Sequence, residues 1–148
     1  MDFSLSPRAA EFRSEVRAFL DANLTEEMVA TMHRTGTFND KDFNAALAEA
    51  GLLAGAVPGY GDRDPIELYI LFNELEKAGA PYDGLAVTML VAGVINAVGT
   101  DFHRKQVLDR LLTGHFNCCL GYSEPDHGSD VAAITTRAVR DGDQWVID

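Results

Sequence analysis

The stretch GYSEPDHGSD, residues 121–130, gathers two serine hydroxyls, a phenol, three carboxylates, an imidazole and two glycines in ten positions. Each chemistry these residues could support carries its own spacing rule. A nucleophilic serine on a sharp elbow needs Gly121-x-Ser123-x-Gly, and position 125 is Pro, so that pattern is not met. Glu124-x-x-His127 has the i, i+3 spacing of a carboxylate–histidine metal helix. It has no second copy, and its neighbours are helix breakers, so no metal ligand is assigned. Gly128-Ser129-Asp130 offers unhindered backbone N–H groups and a hydroxyl, the means of holding a pyrophosphate. The same three residues also build an ordinary capped turn, so by themselves they leave both readings open. His33, His103 and His115 are scattered, and His33 and His103 read as surface or hydrogen-bonded side chains.

Something must position that stretch, and the upstream pattern is helical. Ser6-Pro7 caps and opens a helix over about 6–22 that carries Phe12, Val16, Phe19 and Leu20. A short helix over 25–33 follows. Asn39-Asp40 starts another, with Phe43, Ala46, Leu47 and Ala50 on one face and Gly51 at its end. Residues 57–62 read as a loop. Asp64-Pro65 opens a helix striped by Leu68, Leu71, Phe72 and Leu75, which ends near Gly79. The run 85–98 is apolar all round, which predicts burial on all sides. It is too short to cross a bilayer, so no membrane span is expected. Gly99-Thr100-Asp101 opens a last helix, closed by Gly114.

After residue 115 the helical period is lost. Asp141-Gly142 is a hairpin signal, with Gln144-Trp145-Val146-Ile147 as the returning strand. The fold class expected is mainly α: a helical domain of five to six helices over 1–114, then the first strands of an incomplete β domain over 115–148. Isolated strands bury no face, so the β part is expected to be completed by residues outside these 148.

Composition narrows the classes further. Hydrophobic residues make up 47% of the chain and charged residues 24%, ordinary values for a globular protein. The net charge of -11 opposes nucleic acid as a main partner. The only cysteines are Cys118 and Cys119, too few for a disulfide framework, and MDFSLSPRAAEF lacks the charged and apolar regions of a signal peptide. A cytoplasmic location is the expectation.

Residues 99–148 carry a longer pattern: a Gly-Thr-Asp helix start, Leu111-x-x-Gly114 at its end, Ser123-Glu124-Pro125-x-x-Gly128-Ser129-Asp130, then Trp145-Val146-Ile147-Asp148. This ungapped run resembles the acyl-CoA dehydrogenase family. Upstream, Ala50-Gly51-Leu52-Leu53 and Val57-Pro58 with Tyr60-Gly61 are similar to that family's Gly-Leu…Val-Pro-x-x-Tyr-Gly-Gly segment. The resemblance implies FAD as cofactor, an acyl-CoA thioester as substrate, and oxidation of its α,β bond to the enoyl-CoA. It places Leu120, Tyr122 and Ser123 beside the flavin ring system, with Ser123 donating to its pyrimidine edge. Gly128 and Ser129 would approach the FAD pyrophosphate. Ser129 and His127 would also border the acyl-CoA, while Glu124, Pro125 and Asp130 would build the loop, Asp130 bracing it.

Some positions depart from the family pattern: Tyr122 and His127 stand where small residues are usual, His115 where the helix end carries Glu, and Asp62 for a Gly. Tyr122 and His127 are expected either to reshape the acyl pocket or flavin face or to be tolerated at the surface. The family's general base is a Glu on a C-terminal bundle, so no catalytic residue is assigned to this chain, and on its own it is expected to be inactive. Trp145 is expected to pack in a core. Three roles follow: part of an acyl-CoA dehydrogenase, a short subunit completing a partner's flavin and acyl-CoA site, or a helical interaction module without flavin. A homo- or hetero-oligomer, dimer or tetramer, is expected, whereas a stable monomer without flavin would favour the third role.

Overall fold

Helix starts in this chain are set by side chains that satisfy the first free backbone N–H groups. In a computed structural model describing residues 4–57, 59–60 and 64–148, Ser6 accepts from Ala9 N, and α1 runs Pro7–Asn23. Thr25 accepts from Met28 N at the head of α2, Glu26–Thr35, which Gly36 closes at φ +69°. Asp40 accepts from the amides of Asp42 and Phe43 and opens α3, Lys41–Glu49. Asp64 accepts from Glu67 N and opens α4, Pro65–Ala78. Helix α5 is Leu85–Val98. Thr100 and His103 form a reciprocal capping box that opens three continuous pieces: α6 (Asp101–His103), a π-helical turn (Arg104–Leu108) and α7 (Asp109–Leu111). Pro58, Gly61 and Asp62 lie outside the described residues.

The helices share one core. Phe12, Val16 and Leu20 of α1, Phe43 and Leu47 of α3, Leu71 and Leu75 of α4, and Leu85, Met89 and Ala92 of α5 are buried together. Burying each large side chain stabilises the fold by about 1.5–3 kcal/mol. Helices α1 and α4 lie side by side and run in the same direction, because Arg8 pairs with Glu67 and Arg17 with Glu74 in the same order along both. Both carboxylates are buried on the core side of α4, while the two arginines keep much of their length in water.

Two expectations about helix faces change. On α3 the buried positions are Phe43, Asn44 and Leu47, and Ala50 lies exposed just past the end. On α5 only the Leu85, Thr88, Met89 and Ala92 face is buried. Leu90, Val94 and Val98 point away from the core, and Val98 is 78% exposed. An apolar circumference therefore does not bring burial on all sides, since helices pack against one face only among the described residues.

The chain ends in a two-stranded antiparallel hairpin. Strand β1, Ala138–Asp141, pairs with β2, Gln144–Ile147, in the register Val139↔Val146 and Arg140↔Trp145, around Gly142 at φ +59°. Every residue of both strands is exposed. Trp145, expected in a core, is 64% exposed, because no second layer among the described residues faces the hairpin. The architecture is thus mostly helical with a short C-terminal antiparallel sheet.

Candidate functional site

The segment that leads from the last helix to residues 121–130 is pinned to the helical core at three points. Gly114 (φ +77°) sits so close to α3 that a Cβ there would lie 2.2 Å from the carbonyl oxygen of Asn44. The side-chain amide of Asn117 donates to Asn39 Oδ1 at 2.9 Å, and Asn44 Nδ2 donates to the same oxygen at 2.9 Å. The Cys118 amide donates to Thr88 Oγ1 on α5 at 2.8 Å, and that hydroxyl donates to Gly84 O at 2.7 Å. Burial pushes the Cys118 thiol up from its ordinary value, with the neighbouring Cys119 adding to the shift. From Cys119 to Ser123 the chain leaves this support, and Leu120, Tyr122 and Ser123 are exposed.

Beyond Ser123 the chain closes on itself twice. Glu124 and His127 exchange both backbone hydrogen bonds, at 2.8 and 3.1 Å, so residues 124–127 form a tight two-bond turn. The Glu124 carboxylate then reaches forward over the loop. Its Oε2 accepts from the amide and hydroxyl of Thr135, both at 2.9 Å, and its Oε1 accepts from the amide of Thr136 at 2.7 Å. The hydroxyl of Thr136, followed by the amides of Thr135 and Thr136, holds this carboxyl down at about 2. Hydrogen bonds from hydroxyls and backbone N–H groups to the charged form are the physical cause. Asp130, expected to brace the turn, makes no capping hydrogen bond with its side chain among the described residues, where its carbonyl accepts from Ala133 N. The brace is Glu124.

Every proposed site residue falls in the stretch between the Cys118 anchor and the hairpin. Leu120 and Tyr122 present apolar surface just before Ser123. His127 contributes its backbone to the turn. Gly128 and Ser129 lie between the two closures, both exposed. Among the described residues, the Ser123 hydroxyl and the N–H groups of Gly128 and Ser129 donate to no protein acceptor, and a Cβ on Gly128 would meet nothing within 4 Å. Uncommitted donors beside open space fit an anionic group such as a pyrophosphate, so the residues present are compatible with FAD. Sequence reasoning missed Thr88, Asn39 and Asn117 as the supports of this stretch. None is marked by local pattern, because each partner lies tens of residues away.

Among the described residues no helix is long and apolar enough to cross a membrane. Residues 6–115 match the model of the acyl-CoA dehydrogenase N-terminal domain. Over 155 residues the chain is 33% identical to acyl-CoA dehydrogenase FadE26 of Mycobacterium tuberculosis, covering 99% of this chain and 38% of that protein. Its structure is similar to a chain of the ChsE4-ChsE5 complex from Mycobacterium tuberculosis, with TM-score 0.85 and 33% identity over 99% of this chain and 38% of that one. It is also similar to a chain of the Tcur3481-Tcur3483 steroid ACAD, with TM-score 0.81 and 33% identity over 100% of this chain and 40% of that one. The chain therefore spans about two fifths of the length of the relatives it matches.

Proposed function

This chain belongs to the acyl-CoA dehydrogenase family, and we propose that it supplies the helical part and the flavin-contacting loop of an enzyme oxidising the α,β bond of an acyl-CoA thioester to the enoyl-CoA. The division proposed is a helical N-terminal domain over 1–114 and the start of a middle β domain over 115–148. The observation that carries the reading is the loop of residues 123–129. It is closed at Glu124, anchored at Thr88 and Asn39, and presents the uncommitted donors of Ser123, Gly128 and Ser129.

In this reading, FAD would be the acceptor of the hydride leaving the substrate's β carbon. Ser123 donates to the flavin's pyrimidine edge, with Leu120 and Tyr122 as apolar walls that keep water from the ring. Gly128 and Ser129 would hold the pyrophosphate with their amides, and the missing Cβ of Gly128 would permit close approach. Ser129 and His127 border the acyl-CoA. The base that takes the α proton is a Glu supplied from outside these 148 residues. A cytoplasmic location accompanies this reading.

A second role is favoured by the solved relatives, two of which are complexes named for two different proteins. Here the chain is a subunit that completes a partner's flavin and acyl-CoA site. One of those complexes is named a steroid ACAD. A bulky acyl group is the corresponding substrate class here, with Tyr122 and His127 shaping its pocket.

The visible absorption spectrum of the purified protein tests the flavin reading. A flavin band that survives desalting, or returns on titration with FAD, is the expected result. A protein that takes up no added FAD, whether alone or joined to the chain that completes its β domain, overturns it. Light scattering on the same sample separates the two roles, because a subunit of unlike chains gains mass only with its partner. A colourless, stable monomer would instead support an interaction module without flavin.

A further inference from the structure

Residues 125–134 form a loop whose two ends would be free to drift apart, since among the described residues no ladder of backbone bonds joins them. What joins them is one side chain. The geometry points to Glu124 as a positioning residue: its carboxylate, seated on the amides of Thr135 and Thr136, sets the shape in which the loop presents Gly128 and Ser129. This rests on the flavin reading above for what the loop presents to, and on the hydrogen bonds of Glu124 for how it is held.

Three observations converge on this role. First, Glu124 is tied at both its backbone and its side chain: its N–H and C=O pair with His127, and its two carboxylate oxygens take three donors from Thr135 and Thr136. Second, those bonds span eleven and twelve residues, so one carboxylate closes the whole loop. Third, the loop's other acids, Asp126 and Asp130, make no side-chain hydrogen bond among the described residues that could share the task, and Asp130 does not cap the turn that follows it. Two adjacent amides pointing at one anion form a concave nest, and the charge-assisted bonds it makes are roughly twice as strong as neutral ones. The carboxylate is then a counter-charge spent inside the loop rather than one facing an anionic ligand. Glu124 would otherwise repel a pyrophosphate held at Gly128 and Ser129.

The test compares the full chain with its Glu124→Gln variant, which keeps the shape but replaces one acceptor oxygen by a donor. Amide hydrogen exchange at Thr135 and Thr136, measured without FAD, should quicken about tenfold or more. FAD affinity, followed by flavin fluorescence, should weaken by a similar factor, with the helical circular dichroism and melting point unchanged. Thr135→Val, which removes one donor and leaves both amides, should give a smaller change of the same sign, and it keeps the test alive if Glu124→Gln misfolds. Exchange as slow as in the unaltered chain overturns the proposal. So does faster exchange with unaltered FAD affinity, because loop shape would then not govern presentation of the site. An unaltered chain that binds no FAD defeats the flavin reading instead, and the exchange comparison then decides the hold of Glu124 by itself.

Discussion

The backbone N–H of Cys118 donates to the hydroxyl of Thr88 at 2.8 Å, joining the entry of the proposed cofactor loop to the first turn of α5. Thr88 is fully buried, and it passes the hydrogen bond on to the carbonyl of Gly84, which begins its own helix. One hydroxyl thus couples the start of α5, its packed face and the path of the chain toward residue 123. Thr88→Val keeps the volume and removes both bonds. It should lower the unfolding free energy by about 1–3 kcal/mol, because the Cys118 N–H then loses its acceptor. Urea denaturation reads the change, and a difference within a few tenths of a kcal/mol would show that this bond carries no stability.

Close approach at Gly114 is separable from its backbone conformation. Gly36 and Gly114 both have positive φ, at +69° and +77°, but a Cβ on Gly36 meets nothing within 4 Å whereas one on Gly114 meets the backbone of Asn44 and Ala45. Gly36→Ala should cost about 1–2 kcal/mol, the penalty of the left-handed region alone. Gly114→Ala should cost about 3 kcal/mol or more, since the backbone of α3 has to move. Equal melting points for the two variants would remove the contact between Gly114 and α3 from the account.

The ion pair of Arg17 and Glu74 predicts an acid limb to stability. The hydrogen bond from Arg17 is the chief cause that lowers the Glu74 carboxyl below its ordinary value. A group with a depressed folded value contributes stability that is fully present above its unfolded value. That contribution fades as pH falls from the ordinary carboxylate range toward the lower folded value. Stability should therefore fall below about pH 4.5. In Glu74→Gln the loss over the same window should be smaller, and the difference between the two denaturation midpoints should shrink as pH drops. A constant difference between pH 7 and pH 3 would contradict the assignment.

Ser123→Ala should weaken FAD binding about five- to tenfold and shift the flavin absorption bands, because the uncommitted hydroxyl is the donor proposed for the ring edge. Melting without FAD should not change, since among the described residues that hydroxyl bonds to nothing in the protein. Unaltered affinity and spectrum would move the ring away from Ser123.

The helices were legible because their signals are local. Ser6, Thr25, Asp40, Asp64 and Thr100 each cap within three residues, and the core stripes of α1 and α4 repeat at the helical period. The hairpin was legible from Asp141-Gly142 for the same reason. The face of each helix was harder. Glu67 and Glu74 look like surface residues in a helical stripe, and their burial depends on arginines more than fifty residues earlier. The apolar circumference of α5 gave no means of choosing between Thr88 and Leu90, and packing made Thr88 the inner residue. Nothing in the local pattern of residues 104–108 announces the π turn, which holds no Gly or Pro.

By itself the sequence determined the order of the elements, their caps, and the place of a loop rich in donors between a helical and a β region, because these depend on residues within a turn or two of one another. Which oxygen accepts which amide was decided only by the tertiary structure. Glu124 reads locally as one of several acids in a turn, and it becomes the closure of the loop only when Thr135 and Thr136 turn their amides toward it. Thr88, Asn39 and Asn117 likewise acquire their roles from contacts between distant segments. A hydrogen bond needs its partners within about 3 Å and aligned, and for residues far apart in the chain only the folded core meets that condition.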